Sequence, residues 1–192
     1  MWKASEMTRV GTMQDLEQKI HAVLLMKLLK RDQRGKYENL AGLIGTTRMN
    51  VRTHVDLKHA KGNVDVVVSY RRTIYPQGRM EYENHYVAFE LATDVNFDPD
   101  KKSEQVNRYH QEYEDTRIIL PVGYKKMYED LFHTNEIGVH TWKGTRLWEC
   151  KVCEKINRND HTSRQPTSCD SCEGKQLHFV DLEDVKFERN EN

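Results

Sequence analysis

The chain has 192 residues, 37% hydrophobic and 31% charged, with 30 Lys plus Arg set against 30 Asp plus Glu, and a mean hydropathy of -0.86. That length suits one ordinary domain, or a domain of about 150 residues with a small appendage, and the composition is that of a very polar globular chain rather than a disordered one. Charge balance makes no case for a nucleic-acid partner by itself, and the longest apolar run, Ala22 to Met26, falls far short of the roughly 20 residues a membrane span needs, so an intracellular, cytoplasmic protein is expected.

After a polar leader, Leu16, Ile20, Val23, Leu24 and Leu28 recur at helical spacing, with Thr12 and Asp15 placed as a capping-box-like start. The signal from Tyr37 to Gly45 is mixed. From Asn50 onward Val51, Thr53, Val55 and Leu57 alternate with Arg52, His54 and Asp56, which predicts a strand, and the β-branched run Val64 to Tyr70 predicts a central one. A polar excursion turns at Pro76-Gln77-Gly78 before the apolar Tyr86 to Ala92 resumes the sheet. Asp98 as N-cap and Pro99 at the first helical position then open a helix. Thr116 to Tyr124 reads as a buried strand, Lys125 to Phe132 as a short helix and Glu136 to Trp142 as a further strand. Strands that first sit together and then alternate with helices predict an α/β fold, a mixed sheet flanked by helices, with a parallel crossover from the third strand to the fourth.

Two carboxylates interrupt the apolar strands. Glu90 lies among Val87, Ala88, Phe89 and Leu91, and Asp65 among Val64, Val66, Val67 and Val68. An unpaired buried carboxylate costs several kcal/mol, so each needs a partner or a metal. Neighbouring strands lie about 4.8 Å apart, close enough for both acids to grip one divalent cation, and Glu17 on the first helix could add a third oxygen. The bland alternative is structural neutralisation by a residue such as Arg52 or Lys58.

With Asp65 in "NVDVVVS", Glu90 in "FELAT", and Gln105 and Tyr109 in "QVNRY" falling in this order along these elements, the chain resembles the PD-(D/E)XK nuclease superfamily, in particular its RecB-type branch with a Gln-x-x-x-Tyr helix motif. The resemblance covers roughly Leu16 to Trp142. It implies a restriction-endonuclease-like core in which Asp65 and Glu90 position Mg²⁺ or Mn²⁺ and the attacking water, Gln105 and Tyr109 help position phosphate, and DNA is the substrate. Homodimers are common in that family. One departure stands out: the family's lysine, two residues beyond the glutamate, is replaced by Ala92. Lysines of this kind are known to migrate to the helix in such folds, which makes Lys102 the first candidate replacement, ahead of Lys101 and Lys58. Asp94 is a further candidate neighbour of the metal.

All four cysteines fall near the C-terminal end, as Cys150/Cys153 and Cys169/Cys172. Two Cys-x-x-Cys pairs can place four thiolates on one tetrahedral Zn²⁺ at about 2.3 Å, so a small four-cysteine unit resembling a zinc ribbon is expected, with the metal structural because its coordination is closed. His161 and His178 are alternative ligands that four cysteines make unnecessary. The expected organisation is a nuclease-like core over residues 1–145, a zinc ribbon over 146–187 and a polar tail over 188–192. Lys155, Arg158, Asn159, His161 and Arg164 would lie on the ribbon's loop, facing a phosphate backbone or a protein.

The leading expectation is a metal-dependent DNA nuclease. The second is a non-catalytic nucleic-acid-binding or regulatory protein with a zinc ribbon: either a nuclease fold that lost its activity with the lysine replaced by Ala92, or a helix-turn-helix, since Tyr37 to Val55 also resembles one, with Gly45 at the turn and Thr46 to His54 as recognition helix. The alternation of Val51, Thr53 and Val55 counts against the helix-turn-helix.

Overall fold

The computed structural model describes residues 13–95, 97–127, 137–160 and 166–189. The elements run α1 (Met13–Leu28), α2 (Glu38–Ile44), β1 (Asn50–Asp56), β2 (Asn63–Ile74), β3 (Glu81–Leu91), α3 (Pro99–His110), β4 (Asp115–Pro121), β5 (Gly138–Cys150), β6 (Ile156–Asp160) and β7 (Leu177–Arg189). Among the described residues no helix is long and apolar enough to cross a membrane.

The strands form one mixed seven-stranded sheet in the order β1-β2-β3-β4-β5-β6, with β7 also paired to β5. β1, β2 and β3 form an antiparallel meander. β3 pairs parallel with β4 after the α3 crossover, and β4 pairs parallel with β5. The valine run of β2 is explained by burial on both faces. Val66 and Val68, with Val87 and Phe89 of β3, pack against Ile20, Leu24 and Leu28 of α1 and Leu40 and Leu43 of α2. Val67 and Ala88, which alternate with them, pack under Tyr109 of α3.

α3 starts as its sequence predicts: the Asp98 carboxylate accepts the backbone N–H of Lys101 at 3.2 Å, and Pro99 occupies the first turn. α2 resolves the mixed signal after Tyr37. It ends at Gly45, whose φ of 89° is left-handed and lets its N–H return to Ala41 O, a conformation that costs glycine little.

Several expectations need correction. The helix-turn-helix reading fails, because Asn50–Asp56 is a strand paired along its length to β2; three β-branched residues in alternation prefer the half-buried pleat to a recognition helix. The polar excursion around Pro76 is the far end of a long hairpin, with β2 and β3 paired as far as Ile74↔Glu81. No break falls at the expected boundary after residue 145, for β5 runs unbroken from Gly138 to Cys150. β7 pairs beside it from Cys150↔Leu177 back to His140↔Arg189, so Glu188 and Arg189 of the expected tail are strand residues. β7 also returns Leu182 to the α1–α2 core, with Phe179 and Phe187 packed around it. Thr12, most of the short helix expected from Lys125, and His161 and Arg164 lie outside the described residues.

Candidate metal and catalytic site

The antiparallel ladder between β2 and β3 begins at Val66↔Phe89. One residue beyond that point Asp65 and Glu90 face the gap, 8% and 2% exposed. The Asp65 carboxylate does there what a backbone carbonyl does further along, accepting the N–H of Leu91 on Oδ2 at 2.8 Å. The same oxygen lies 3.1 Å from His21 Nε2 on α1. Burial works against the Asp65 anion, but His21 and the Leu91 N–H outweigh it and hold its pKa below the usual carboxylate value. Burial likewise opposes a charged His21, and the hydrogen bond and charge of Asp65 leave its pKa raised.

Glu90 is approached from α3. Lys102, Gln105 and Tyr109 stand at i, i+3 and i+7, hence on one helix face. Lys102 Nζ donates to Glu90 Oε1 at 2.5 Å and to Gln105 Oε1 at 3.3 Å. Gln105 Nε2 donates to Glu90 Oε2 at 3.1 Å. The Tyr109 hydroxyl sits 2.9 Å from that oxygen and 2.6 Å from Asn63 O, and its one proton serves one of them while Gln105 Nε2 donates to it. Total burial, helped by the negative charge of Asp65, pushes the Glu90 pKa up from 4.5 to about 7 in spite of Lys102. Lys102 is desolvated too, yet Glu90 and Asp65 keep its pKa above the ordinary lysine value. Burial and the Glu90 charge raise Tyr109.

His21 and Lys102, the partners of the two acids, line a cavity of about 580 Å³ together with Glu17, His54, Leu91 and Thr93, while Asp65 and Glu90 are not among its lining residues. Glu17 therefore reaches the same space without touching the two acids. Ala92 explains why the strand carries no lysine there: it is fully buried and packs with Val106 of α3 and Ile118 of β4, and Trp142 Nε1 of β5 donates to its carbonyl at 2.8 Å. The ammonium beside Glu90 belongs to Lys102 of α3, one helical turn before Val106.

Other expected neighbours go elsewhere. Lys101 pairs with Asp98 at 3.0 Å, Asp94 pairs with the buried Arg146 of β5, and Lys58 gives its backbone N–H to Glu112. Neither Lys58 nor Arg52 neutralises Asp65 or Glu90; His21 and Lys102 do. His21 is the residue that sequence reasoning missed. Its signal was its place four residues after Glu17, beside the apolar stripe of α1.

At the far end of β5 the four cysteine sulfurs lie within 4.8 Å of one another, the only such group of three or more His, Cys, Asp or Glu ligand atoms among the described residues. Cys150 and Cys172 sulfurs are 3.6 Å apart, as are those of Cys153 and Cys169. A tetrahedron of four sulfurs around zinc, with bonds of about 2.3 Å, has edges of about 3.8 Å, so the cluster is placed to bind a metal such as zinc. The two pairs are built alike. Val152 N–H points to Cys150 Sγ and Ser171 N–H to Cys169 Sγ, each at 3.4 Å. Glu154 and Glu173 then take left-handed φ values of 59° and 58° and donate back to the carbonyls of Cys150 and Cys169. Asn157 ties the halves together by accepting Asp170 N–H at 2.8 Å. His178 is exposed and outside the cluster. Arg158 and Asn159, expected on a loop, are residues of β6 paired with Leu147 and Arg146 of β5, and Arg158 is engaged with Glu183 at 2.8 Å.

No family model, curated protein or solved structure matches this chain.

Proposed function

We propose that this protein is a divalent-metal-dependent nuclease hydrolysing DNA phosphodiester bonds, on a restriction-endonuclease-like core of the PD-(D/E)XK kind, with zinc held structurally by Cys150, Cys153, Cys169 and Cys172. The observation that carries the reading is the convergence of Lys102, Gln105 and Tyr109 on a fully buried Glu90, beside an Asp65 held by His21, with His21 and Lys102 lining a cavity. The order helix, three-strand meander, helix, parallel strand supports it.

The donor types suit a hard cation, although Asp65, Glu90 and His21 do not already stand as a ligand cluster in the way the four cysteines do, so binding a cation requires the carboxylates to turn from their present partners. Asp65 and Glu90 offer oxygens suited to Mg²⁺ or Mn²⁺, and the His21 imidazole suits Mn²⁺. A bound cation supplies charge to polarise the phosphate and acidify a water. Lys102 remains protonated at neutral pH, so it acts as a fixed positive charge toward phosphate oxygens and not as a base. Gln105 and Tyr109 hold the Glu90 carboxylate in one orientation, and His21 does the same for Asp65. His21 must lose its proton to become a ligand, so metal affinity rises with pH.

The test is a cleavage time course on labelled single-stranded, duplex and branched DNA, with Mg²⁺, Mn²⁺ or no divalent cation added, for the parent and for Asp65→Asn and Glu90→Gln. Metal-dependent cleavage that both substitutions abolish is expected. A parent that binds DNA without cutting, or a Glu90→Gln protein that cuts at the parent's rate, refutes the assignment.

A further inference from the structure

The β2–β3 hairpin continues well past the helices, and its two sides differ in charge. Alternation carries the α3-side positions Val67 and Ala88 outward to Ser69, Arg71 and Thr73 on β2 and to Tyr82, Asn84 and Tyr86 on β3. Glu81 and Glu83 fall on the opposite side, where Glu83 pairs with Arg72 at 2.9 Å. The edge strand β1 adds Asn50 opposite Ser69, and Arg48 precedes it. Together they form a groove of about 790 Å³ whose lining includes Arg48, Asn50, Arg71, Thr73, Tyr82 and Asn84 and no carboxylate. In a chain with as many acids as bases, that separation is informative. Arg48, Arg52 and Arg71 are exposed, and among the described residues none of their side chains has an ion-pair or hydrogen-bond partner.

We propose that this groove docks a single nucleic-acid strand, with Arg48 and Arg71 on its phosphates and Tyr82 against a base. The proposal rests on the reading of the protein as one that acts on nucleic acid, and adds where the strand is held. Guanidinium groups fork onto phosphate oxygens, exposed tyrosines offer stacking faces, and the amides and hydroxyls of Asn50, Asn84 and Thr73 can meet sugars or base edges. The groove is remote from the chemistry. Arg71 lies six residue steps along β2 from Asp65, about 20 Å. Along the edge between them stand Arg52, opposite Val67, and then His54, which lines the catalytic cavity. A strand leaving the groove along β1 would pass Arg52 before it met His54 at the cavity.

The experiment is fluorescence anisotropy of a labelled twelve-nucleotide single strand across a salt series, without added Mg²⁺, with the parent, Arg48→Gln/Arg71→Gln, Tyr82→Ala and Arg72→Gln. Thermal unfolding of each variant accompanies it. Removing two phosphate contacts should lower the slope of log affinity against log salt by about 1.4 and weaken binding, and Tyr82→Ala should weaken it about tenfold or more. Arg72→Gln, on the opposite side of the hairpin, should bind as the parent does. If folded Arg48→Gln/Arg71→Gln binds with the parent's affinity and slope, the groove is not the docking site, while the nuclease reading, judged by cleavage, is untouched. If that variant loses binding and Glu90→Gln still cuts, the groove stands and the nuclease reading falls. A parent dimer that Tyr82→Asp separates and the oligonucleotide does not displace would make this face a protein interface and overturn the proposal.

Discussion

Replacing Glu90 by glutamine should change how stability depends on pH, with a sign that discriminates between two accounts of the site. In the folded protein Glu90 holds its proton to about pH 7 instead of 4.5, because it is wholly buried beside Asp65. A carboxyl whose folded pKa is raised binds more protons folded than unfolded. Its contribution is therefore present below about pH 4.5 and lost as pH rises toward and through 7. At about 1.36 kcal/mol per unit, the loss is about 3 kcal/mol. A glutamine amide does not titrate, so the stability difference between Glu90→Gln and parent should move by about 3 kcal/mol in the variant's favour between pH 4.5 and 8. Urea unfolding at a series of pH values, with zinc present and no Mg²⁺ or Mn²⁺, measures it. Comparing the two proteins cancels the opposite contribution of Asp65, which strengthens stability as pH rises. Should the difference move in the parent's favour instead, Lys102 stabilises the Glu90 anion by more than burial costs it, and the electrostatic argument is wrong. Under the expected outcome, millimolar Mg²⁺ should remove the parent's penalty and release protons near pH 7.

Lys102→Met should reduce cleavage about 100-fold to 1,000-fold while DNA binding by the folded protein changes little, as expected for a charge that acts on the transition state. His21→Ala should weaken Mn²⁺ binding about tenfold and Mg²⁺ binding less, read by calorimetry, because imidazole favours the softer ion. Cys150→Ser should lower the metal content below one zinc per chain by elemental analysis and reduce Tm by about 10 °C or more, since each kcal/mol moves Tm by about 2–4 °C in a chain of this size. A chain ending at Thr145 should lose cooperative unfolding in circular dichroism, because Leu182, which is fully buried among α1 and α2 residues, goes with β7.

The site was legible in proportion to how far its chemistry departs from its surroundings. A carboxylate in a valine run announces itself, which is why Asp65 and Glu90 stood out, and Pro99 after Asp98 fixed the start of α3 and hence the shared face of Lys102, Gln105 and Tyr109. His21 did not stand out, since one histidine on an amphipathic helix is compatible with any surface. The partners of Asp94 and Lys101 depend on tertiary approach, so spacing held no clue that Arg146 and Asp98 would take them. The paired cysteines were visible from spacing, but their setting was not. A zinc-bearing segment suggested an appendage, whereas Phe179, Leu182 and Phe187 are spread along β7 in a pattern that looks like any short strand until β5 is known to lie beside it. His54, with its left-handed φ of 50° inside β1, is likewise invisible in one dimension.

β7 also sets the order in which the chain can be finished on the ribosome. Lys27 of α1 and Asp181 of β7 approach to 3.4 Å across a separation of 154 residues, and the apolar side of α1 is closed partly by Leu182. At about 5–20 residues per second, the first helix waits on the order of 10–30 s for its last neighbour to be synthesised. Throughout that interval Ile20, Leu24 and Leu28 have only part of their cover, a period in which a holding chaperone would find a substrate. The cysteines emerge on either side of β6, shortly before β7 does. Metal capture at the β5 end can thus fix where the returning strand begins and turn a long-range search into a local zipping from Cys150↔Leu177 toward His140↔Arg189. Zinc scarcity would then appear first as slow maturation, with newly made chains held open at the helix layer, before it appeared as any loss of stability in chains already folded.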